Sequence, residues 1–304
     1  MLKKKKLTVQ RATPYLFLAP ALFAMLLIVI TPSVIGILIS FTNFAAKNMT
    51  KWNKIKFVGF DNYIYLFTSG SGLSTNFLAS VKTSLTVIFC DVVGVYVLGM
   101  AAALALNKNR KLFRFLRAAF LIPWVIPSVV TTFVWKSFLL RDSGGLNDIL
   151  QRIGVISEPL YWLAGDLSIT SVIMIMIWRG WPFIFISLLA GLQGIPTDMY
   201  DAAKVDGASK VQTFRYITFP MLFPVTRILL LLQIIWAALD FNTSFVLYNM
   251  VPPKQANVLP LLAYNTSFTS WDFCRGAVIA TVMMLMMMMI SLLYIRFVVK
   301  DRNQ

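Results

Sequence analysis

Residues 195–220 read IPTDMYDAAKVDGASKVQTFRYITFP, and this stretch decides how the rest of the chain is interpreted. It is the longest moderately polar passage in a chain that is 58% hydrophobic. Long apolar runs flank it on both sides. Its residues predict a helix, a turn and a second helix. Two short helices joined tightly between apolar runs are typical of a docking surface rather than of a linker.

The local signals within this stretch are specific. Thr197 or Asp198 can cap the first short helix. The Asp-Gly dipeptide that follows predicts a turn in which Gly207 adopts the left-handed conformation that ends a helix. A second helix is expected over 208–219, and Pro220 stands where a new segment would begin.

The composition of the chain indicates that its solvent is a lipid bilayer. Only 13% of the 304 residues are charged and the mean hydropathy is +0.74, whereas soluble domains carry about 25% charged residues. The net charge of +16 would suggest nucleic acid in a soluble protein. In a membrane protein the same excess reflects basic cytoplasmic loops, so we expect no nucleic-acid partner.

The apolar runs predict an all-α integral membrane protein with six transmembrane helices. Each run has at least about 20 residues, enough to cross a hydrocarbon core of about 30 Å. They form one transmembrane domain, 14–304, after a short cytoplasmic segment, 1–13. The predicted spans are 14–41, 77–106, 118–140, 168–192, 220–248 and 274–299.

The distribution of basic residues predicts the orientation. Segments 1–11 and 107–117 each hold five basic residues within 11 positions. Such dense clusters mark cytoplasmic segments. With an even number of spans, both termini and the 195–220 stretch are then expected in the cytoplasm.

The sequence contains few of the residues and motifs that an enzyme active site requires. It contains no histidine, and its two cysteines, Cys90 and Cys274, lie in or at the edge of apolar runs. This excludes a disulfide framework and a Cys/His metal site. No phosphate-binding G-x-x-x-x-G-K-[ST] motif occurs, so ATP, if it drives this protein, must be bound by another chain.

The 195–220 stretch resembles the conserved cytoplasmic loop of binding-protein-dependent ABC transporter permeases. The core of that loop is Glu-Ala-Ala, then Asp-Gly-Ala, then a proline at a fixed distance. Here Asp201 replaces the glutamate, which keeps the charge and shortens its reach by one methylene. In the family this loop inserts into a cleft on a separate ATPase. The resemblance therefore implies ATPase-coupling roles for Tyr200, Asp201, Ala202, Ala203, Asp206, Gly207, Ala208, Phe214 and Pro220.

Other motifs resemble those of the carbohydrate permeases in this family. The F-x-G-x-x-N-Y pattern at 57–63 follows the first span, and Pro123-Trp124 lies in the third. Gly145-Leu146-Asn147 and the run 178–183 also fit. The outer loop departs from the family pattern, because Val251-Pro252-Pro253 stands in place of Gly-Gly-Pro.

The resemblance implies a type I ABC importer permease fold and a place in a bacterial plasma membrane, in contact with lipid. It further implies a second homologous permease subunit, two ATPase subunits that carry ATP and Mg²⁺, and an extracellular solute-binding protein. The chain itself would bind no cofactor, and its substrate would be a sugar or oligosaccharide. Glycerol phosphate, a peptide or an amino acid is the alternative substrate. An alternative from a different class of protein is an ion-driven secondary transporter or a membrane scaffold. The sequence shows no pair of inverted halves, which disfavours this alternative.

Charged residues within the spans are candidates for the solute path, because a charge in the bilayer centre is costly and usually faces a cavity or a partner. Asp91, Arg179 and Asp240 are the three in this chain. They either line the path, with Arg179 paired to one of the aspartates, or form a structural ion pair between helices.

A sugar site needs flat apolar faces together with polar groups for the hydroxyls. The same aromatic residues could equally anchor helices at the membrane interface or fill cores. The candidates within or near the spans are Trp178, Trp181, Trp236, Gln233 and Asn242.

Overall fold

The computed structural model describes residues 2–68, 70–108 and 111–299, and these are almost entirely helical. Arg110 and the predicted cytoplasmic C-terminal end, 300–304, lie outside the described residues. The α-helices of the described chain are α1 (Leu2–Met25), α2 (Thr31–Ser40), α3 (Asp61–Phe67), α4 (Gly72–Leu106), α5 (Lys111–Phe120), α6 (Ile122–Val125), α7 (Ser128–Phe138), α8 (Gly145–Arg152), α9 (Leu167–Gln193), α10 (Thr197–Val205), α11 (Lys210–Thr213), α12 (Phe219–Ala238), α13 (Asn242–Tyr248), α14 (Leu259–Tyr264) and α15 (Phe273–Tyr294). Wider π-helical turns lie at Leu26–Ile30, Phe214–Thr218, Asn265–Thr269 and Ile295–Val299, and short 3-10 turns at Ala46–Asn48, Trp52–Lys54 and Lys254–Ala256.

Five helical stretches of the described chain are long and apolar enough to cross a membrane. A sixth crossing results when the bent pair Lys111–Val125 and Ser128–Phe138 counts as one span. The number agrees with the six spans expected from the sequence. The five stretches are Thr13–Ser40, Gly72–Leu106, Leu167–Gln193, Lys210–Tyr248 and Phe273–Val298.

The third predicted span, 118–140, is not a single helix. Its two halves are bent by 91°. The bend lies at Ile126, which has an extended backbone (φ −69°, ψ 133°), and at Pro127. Proline has no N–H to donate and disfavours the helical conformation of the residue before it. Two prolines, at 123 and 127, stand in this span of the sequence, but a break of this size was not predicted.

The fifth predicted span also has different bounds. Pro220 does not begin a new segment, because α11, the π-helical turn and α12 follow one another as a single helical run from Lys210 to Ala238. Phe219 N–H donates to the carbonyl of Phe214, five residues back. This wider turn accommodates the ring of Pro220 without ending the helix. The run is then interrupted before α13 begins at Asn242.

The structure divides into two compact units, and the smaller consists of Met1–Ser71 with Ala263–Val282. The F-x-G-x-x-N-Y motif is structural within it. Asn62 Nδ2 donates to the carbonyls of Ser40 (2.8 Å) and Thr42 (2.7 Å) at the C-terminus of α2, and the Tyr63 hydroxyl lies 2.6 Å from Ser40 Oγ. Gly59 supplies the positive φ of 59° that turns the chain back toward α2.

The larger unit consists of Gly72–Leu262 with Met283–Gln304. In it α4 runs along α9, and α12 packs against both. Small residues allow this close approach, as is usual for helices in membranes. A Cβ at Gly99 would lie 2.8 Å from Ile184 Cγ2 and 3.0 Å from the Phe185 backbone nitrogen.

The loop between α7 and α9 is held by one buried side chain, Asn147. Its Nδ2 donates to the carbonyls of Arg141 (2.9 Å) and Leu160 (3.0 Å). Its Oδ1 accepts from Leu160 N (3.2 Å) and Trp162 Nε1 (2.9 Å). The Gly-Leu-Asn motif therefore serves to fix this loop.

Candidate functional site

The polar stretch, residues 195–220, contains the predicted helix, turn and second helix, although the second helix starts at Lys210 and continues past Pro220. The first helix, α10, is followed by Gly207 at a φ of +72°, which confirms the predicted turn. The predicted cap by Thr197 or Asp198 is wrong. Helix α10 starts at Thr197 itself, with the extended Pro196 at the N-cap position and no side-chain cap.

The second helix of the stretch begins at a capping box that was not predicted. Ser209 Oγ accepts from Gln212 N (3.3 Å), and Gln212 Oε1 accepts from Ser209 N (2.8 Å). These two bonds satisfy backbone donors that the first turn leaves free. The box fixes the start of the helical run that leads into the membrane.

Some side chains of the stretch hold it against the rest of the larger unit. Ala203 is buried. Tyr200 and Phe214 pack on the core that surrounds Leu192 and Leu222. The Tyr200 hydroxyl lies 3.2 Å from Thr218 Oγ1. These contacts set the angle between α10 and the helix that follows.

Other side chains of the stretch point outward. Val205, Val211 and Tyr216 are 87%, 74% and 71% exposed. Asp201 is paired with Lys204 at 2.7 Å on the surface. An apolar surface flanked by charges is typical of a protein interaction site.

A cavity of about 360 Å³ lies inside the larger unit, where the bend at Ile126–Pro127 opens space beside α9 and α12. Irregular backbone at membrane depth is tolerated where it lines such a cavity. The lining residues are Asp91, Trp124, Val125, Ile126, Pro127, Ser128, Met176, Arg179, Gly180, Gln233, Trp236 and Ala237.

An ion pair joins α9 to the break after α12. Arg179 Nη2 donates to Asp240 Oδ2, and Arg179 Nη1 lies 3.4 Å from Thr243 Oγ1. The other carboxylate oxygen, Asp240 Oδ1, accepts from Thr243 N at 2.9 Å in the first turn of α13. Of the two aspartates considered from the sequence, Asp240 is thus the partner of Arg179.

The second aspartate is bound to an amide. Asp91 is fully buried, and its Oδ2 accepts from Gln233 Nε2 at 2.6 Å. Its other oxygen, Oδ1, has no hydrogen-bond partner within the described residues. Aromatic rings continue the wall, since Phe183 stacks on Trp124 (centroids 5.4 Å apart) and meets the edge of Trp236 (5.0 Å).

The eight predicted path residues fall into three groups. Asp91, Arg179, Gln233 and Trp236 line the cavity. Asp240 and Asn242 contact lining residues, and Asn242 Nδ2 donates to Ser128 Oγ at 3.2 Å.

Two predicted residues lie elsewhere. Trp178 meets Trp135 (5.8 Å) beside a second, apolar cavity, and Trp181 packs on Phe120 (5.2 Å) in the core. Sequence reasoning missed Trp124 and Ser128 as lining residues, although the prolines at 123 and 127 were a signal that the helix would open there. No group of three metal-ligating side chains occurs in the part of the chain that the structure describes.

Comparison with known proteins gives one family and a consistent set of relatives. The family model described as "Binding-protein-dependent transport system inner membrane component" matches residues 96–302. The trehalose/maltose transport system permease protein MalF of Thermococcus litoralis is 32% identical over 93% of this chain and 92% of its own length. The sulfoquinovosyl glycerol transport system permease protein SmoG of Agrobacterium fabrum is 28% identical over 95% of this chain and 91% of its own.

Among solved structures, a bacterial ABC transporter for import of the acidic polysaccharide alginate contains a similar chain. It is 21% identical, with a TM-score of 0.82 over 99% of this chain and 100% of that chain. The fold of this chain is therefore that of a type I ABC importer permease.

Proposed function

The chain belongs to the family of binding-protein-dependent transport system inner membrane components, and we propose that it forms half of the solute path of an ATP-driven importer. One observation carries the proposal further than family membership. A single helical run joins the exposed polar stretch at Lys210 to the cavity wall at Gln233 and Trp236. Force applied outside the membrane would thus act directly on the lining of the cavity.

A sugar or oligosaccharide is the substrate class that we propose. By name, relatives of this chain transport trehalose and maltose, or diacetylchitobiose. The cavity combines indole faces with carboxylate and amide groups, as pyranose rings and their hydroxyls require. These relatives favour a sugar over glycerol phosphate, a peptide or an amino acid, and an ATP-driven importer over an ion-driven transporter.

The motor is proposed to be a separate pair of ATPase subunits, which would hold ATP and Mg²⁺. The surface made by Val205, Val211 and Tyr216 would enter their cleft, with Asp201 at its edge. A second permease subunit would complete the path, and an extracellular binding protein would deliver the solute. The polar stretch and both chain termini would then face the cytoplasm.

Two glycines provide a matched test of the docking role. Gly207 (φ +72°) and Gly154 (φ +74°) have nearly the same positive φ, and a Cβ at either meets no atom within 4 Å. A leucine at either position carries the same left-handed strain, about 1–2 kcal/mol. Only Gly207 lies in the polar stretch.

We expect Gly207→Leu to lose the ATPase subunits during affinity purification of the complex and Gly154→Leu to retain them. Thermal unfolding in detergent should shift equally for both variants, because the strain is equal. Retention of the ATPase by Gly207→Leu, or its equal loss from both variants, would contradict the docking role.

A further inference from the structure

The positive charge in the cavity wall is paired with a carboxylate. Arg179 is the one cation among the lining residues that the structure describes. Its guanidinium donates to Asp240, whose side chain is 8% exposed. The charge of this guanidinium is therefore already balanced by a buried carboxylate. An anionic solute that displaced Asp240 would leave that carboxylate without its partner, which is strongly unfavourable.

Asp240 cannot easily turn away to release the guanidinium. Its second oxygen accepts from Thr243 N at 2.9 Å and so holds the first turn of α13. Both oxygens of the carboxylate are therefore committed. If Asp240 turned away to release Arg179, the first turn of α13 would also lose its hydrogen bond from Thr243 N.

The remaining polar groups among the described lining residues add no positive charge. Asp91 adds no positive charge whether it is ionised or protonated, and it takes the Nε2 donor of Gln233. This bond turns the carboxamide oxygen of Gln233 away from Asp91, where it can accept from a hydroxyl. The exposed ring of Trp236 supplies an apolar face beside these groups.

From this charge balance we propose that the cavity selects uncharged, hydroxyl-rich solutes over anionic ones, and that Asp240 is the specificity-determining residue. The inference rests on the proposed function, because it takes this cavity as part of the solute path. Neutralising Asp240 alone would free the Arg179 guanidinium and make the wall favourable to anions. Neutralising both partners would restore the original balance.

Charged thiol reagents can measure this property without knowledge of the natural solute. Val125 lines the cavity and is exposed, so Val125→Cys is a reporter once the native Cys90 and Cys274 are replaced by alanine. The assembled transporter, in nanodiscs, is treated with an anionic sulfonate or a cationic trimethylammonium methanethiosulfonate reagent of similar size. Each rate is divided by the rate with a free thiol. Neutral methyl methanethiosulfonate controls for access.

With Asp240 intact, we expect the normalised cationic reagent to react at least as fast as the anionic one. Asp240→Asn should shift the ratio toward the anionic reagent on the order of tenfold, as a full unit charge nearby would. Asparagine keeps the size of the side chain and an acceptor for Thr243 N. The double variant Arg179→Gln/Asp240→Asn should return the ratio to its starting value.

The inference is overturned if the anionic reagent is already preferred with Asp240 intact, or if Asp240→Asn leaves the ratio unchanged while the neutral reagent still reacts. Failure of the proposed function looks different. In that case no ATPase subunit copurifies with the chain, whatever the reagent ratio. Because the double variant removes both partners together, a shift caused by unfolding would persist in it, and a shift caused by charge would not.

Discussion

Asp201 is the position at which a charge change should alter coupling without altering the fold. Its carboxylate pairs with Lys204 at 2.7 Å, and the two side chains are 65% and 74% exposed. Exposed pairs contribute about 0.2–1 kcal/mol. Asp201→Lys adds a like-charge pair at i,i+3, which costs about 0.2–0.5 kcal/mol more. We therefore expect the stability of the chain to change by no more than about 1.5 kcal/mol.

The matched control for this change is Asp148 on α8. It pairs with Arg152 at 2.9 Å, with side-chain exposures of 58% and 77%. Asp148→Lys breaks a pair of similar exposure, remote from the polar stretch in sequence. Because Asp148 lies in the first turn of α8, where a lysine opposes the helix dipole, its cost to stability should be at least as large. Any effect found only at position 201 must arise from a contact with another protein.

The assay is solute import per ATP hydrolysed in proteoliposomes that contain the whole transporter. The sugar used would be the one that stabilises the cognate binding protein in a thermal-shift screen. Asp201→Glu should match the wild-type ratio, because it restores the family residue. Asp201→Ala and Asp201→Lys should lower it on the order of tenfold, because ATP would then be hydrolysed without the matching movement of the path. An unchanged ratio in Asp201→Lys, or an equal fall in Asp148→Lys, would refute the coupling contact.

Two further predictions concern stability, measured by thermal unfolding in detergent. Asn147→Ala should destabilise the larger unit by about 2–4 kcal/mol, because it leaves two carbonyls and two N–H groups without their partner. A loss of stability no greater than that on replacing an exposed asparagine would contradict this. Gly99→Ala should destabilise the protein by about 1–3 kcal/mol, because the added Cβ meets Ile184 and the Phe185 backbone. In contrast, Gly36→Ala should stabilise it by about 1 kcal/mol, because the added Cβ meets no atom within 4 Å. Equal effects at the two glycines would show that the α4–α9 contact does not limit stability.

Features that depend on local chemistry could be predicted from the sequence. Gly207 was expected to take a positive φ because it follows an aspartate at the end of a short helix, and it does. The ends of α9 differ from the predicted span by a residue at each side. Turn chemistry acts over a few residues and hydrocarbon thickness over about 20 consecutive residues, so a contiguous stretch of sequence carries both signals.

Features that depend on packing between distant segments could not be predicted. Trp178 and Arg179 are neighbours, yet a rotation of about 100° per residue sends them to different surroundings. Arg179 reaches the ion pair with Asp240, and Trp178 reaches Trp135. Asp240 lies some 60 residues from Arg179 along the chain, so no local sequence pattern identifies it as the partner.

The helical run from Lys210 to Ala238 joins both candidate regions, and its attachments indicate which contact should respond to force. About 23 residues separate Lys210 from Gln233, roughly 35 Å of helix at 1.5 Å per residue. The left-handed Gly207 lies before this run, and the interruption at Asp240 follows it.

Within the run, Thr226 lies 3.1 Å from the Tyr96 hydroxyl, and Gln233 donates to Asp91, so both side chains tie it to α4. A continuous hydrogen-bonded helical run transmits a displacement along its length. Displacement of the polar stretch must therefore change either the bonds to α4 or the ion pair between Asp240 and Arg179, and both border the cavity.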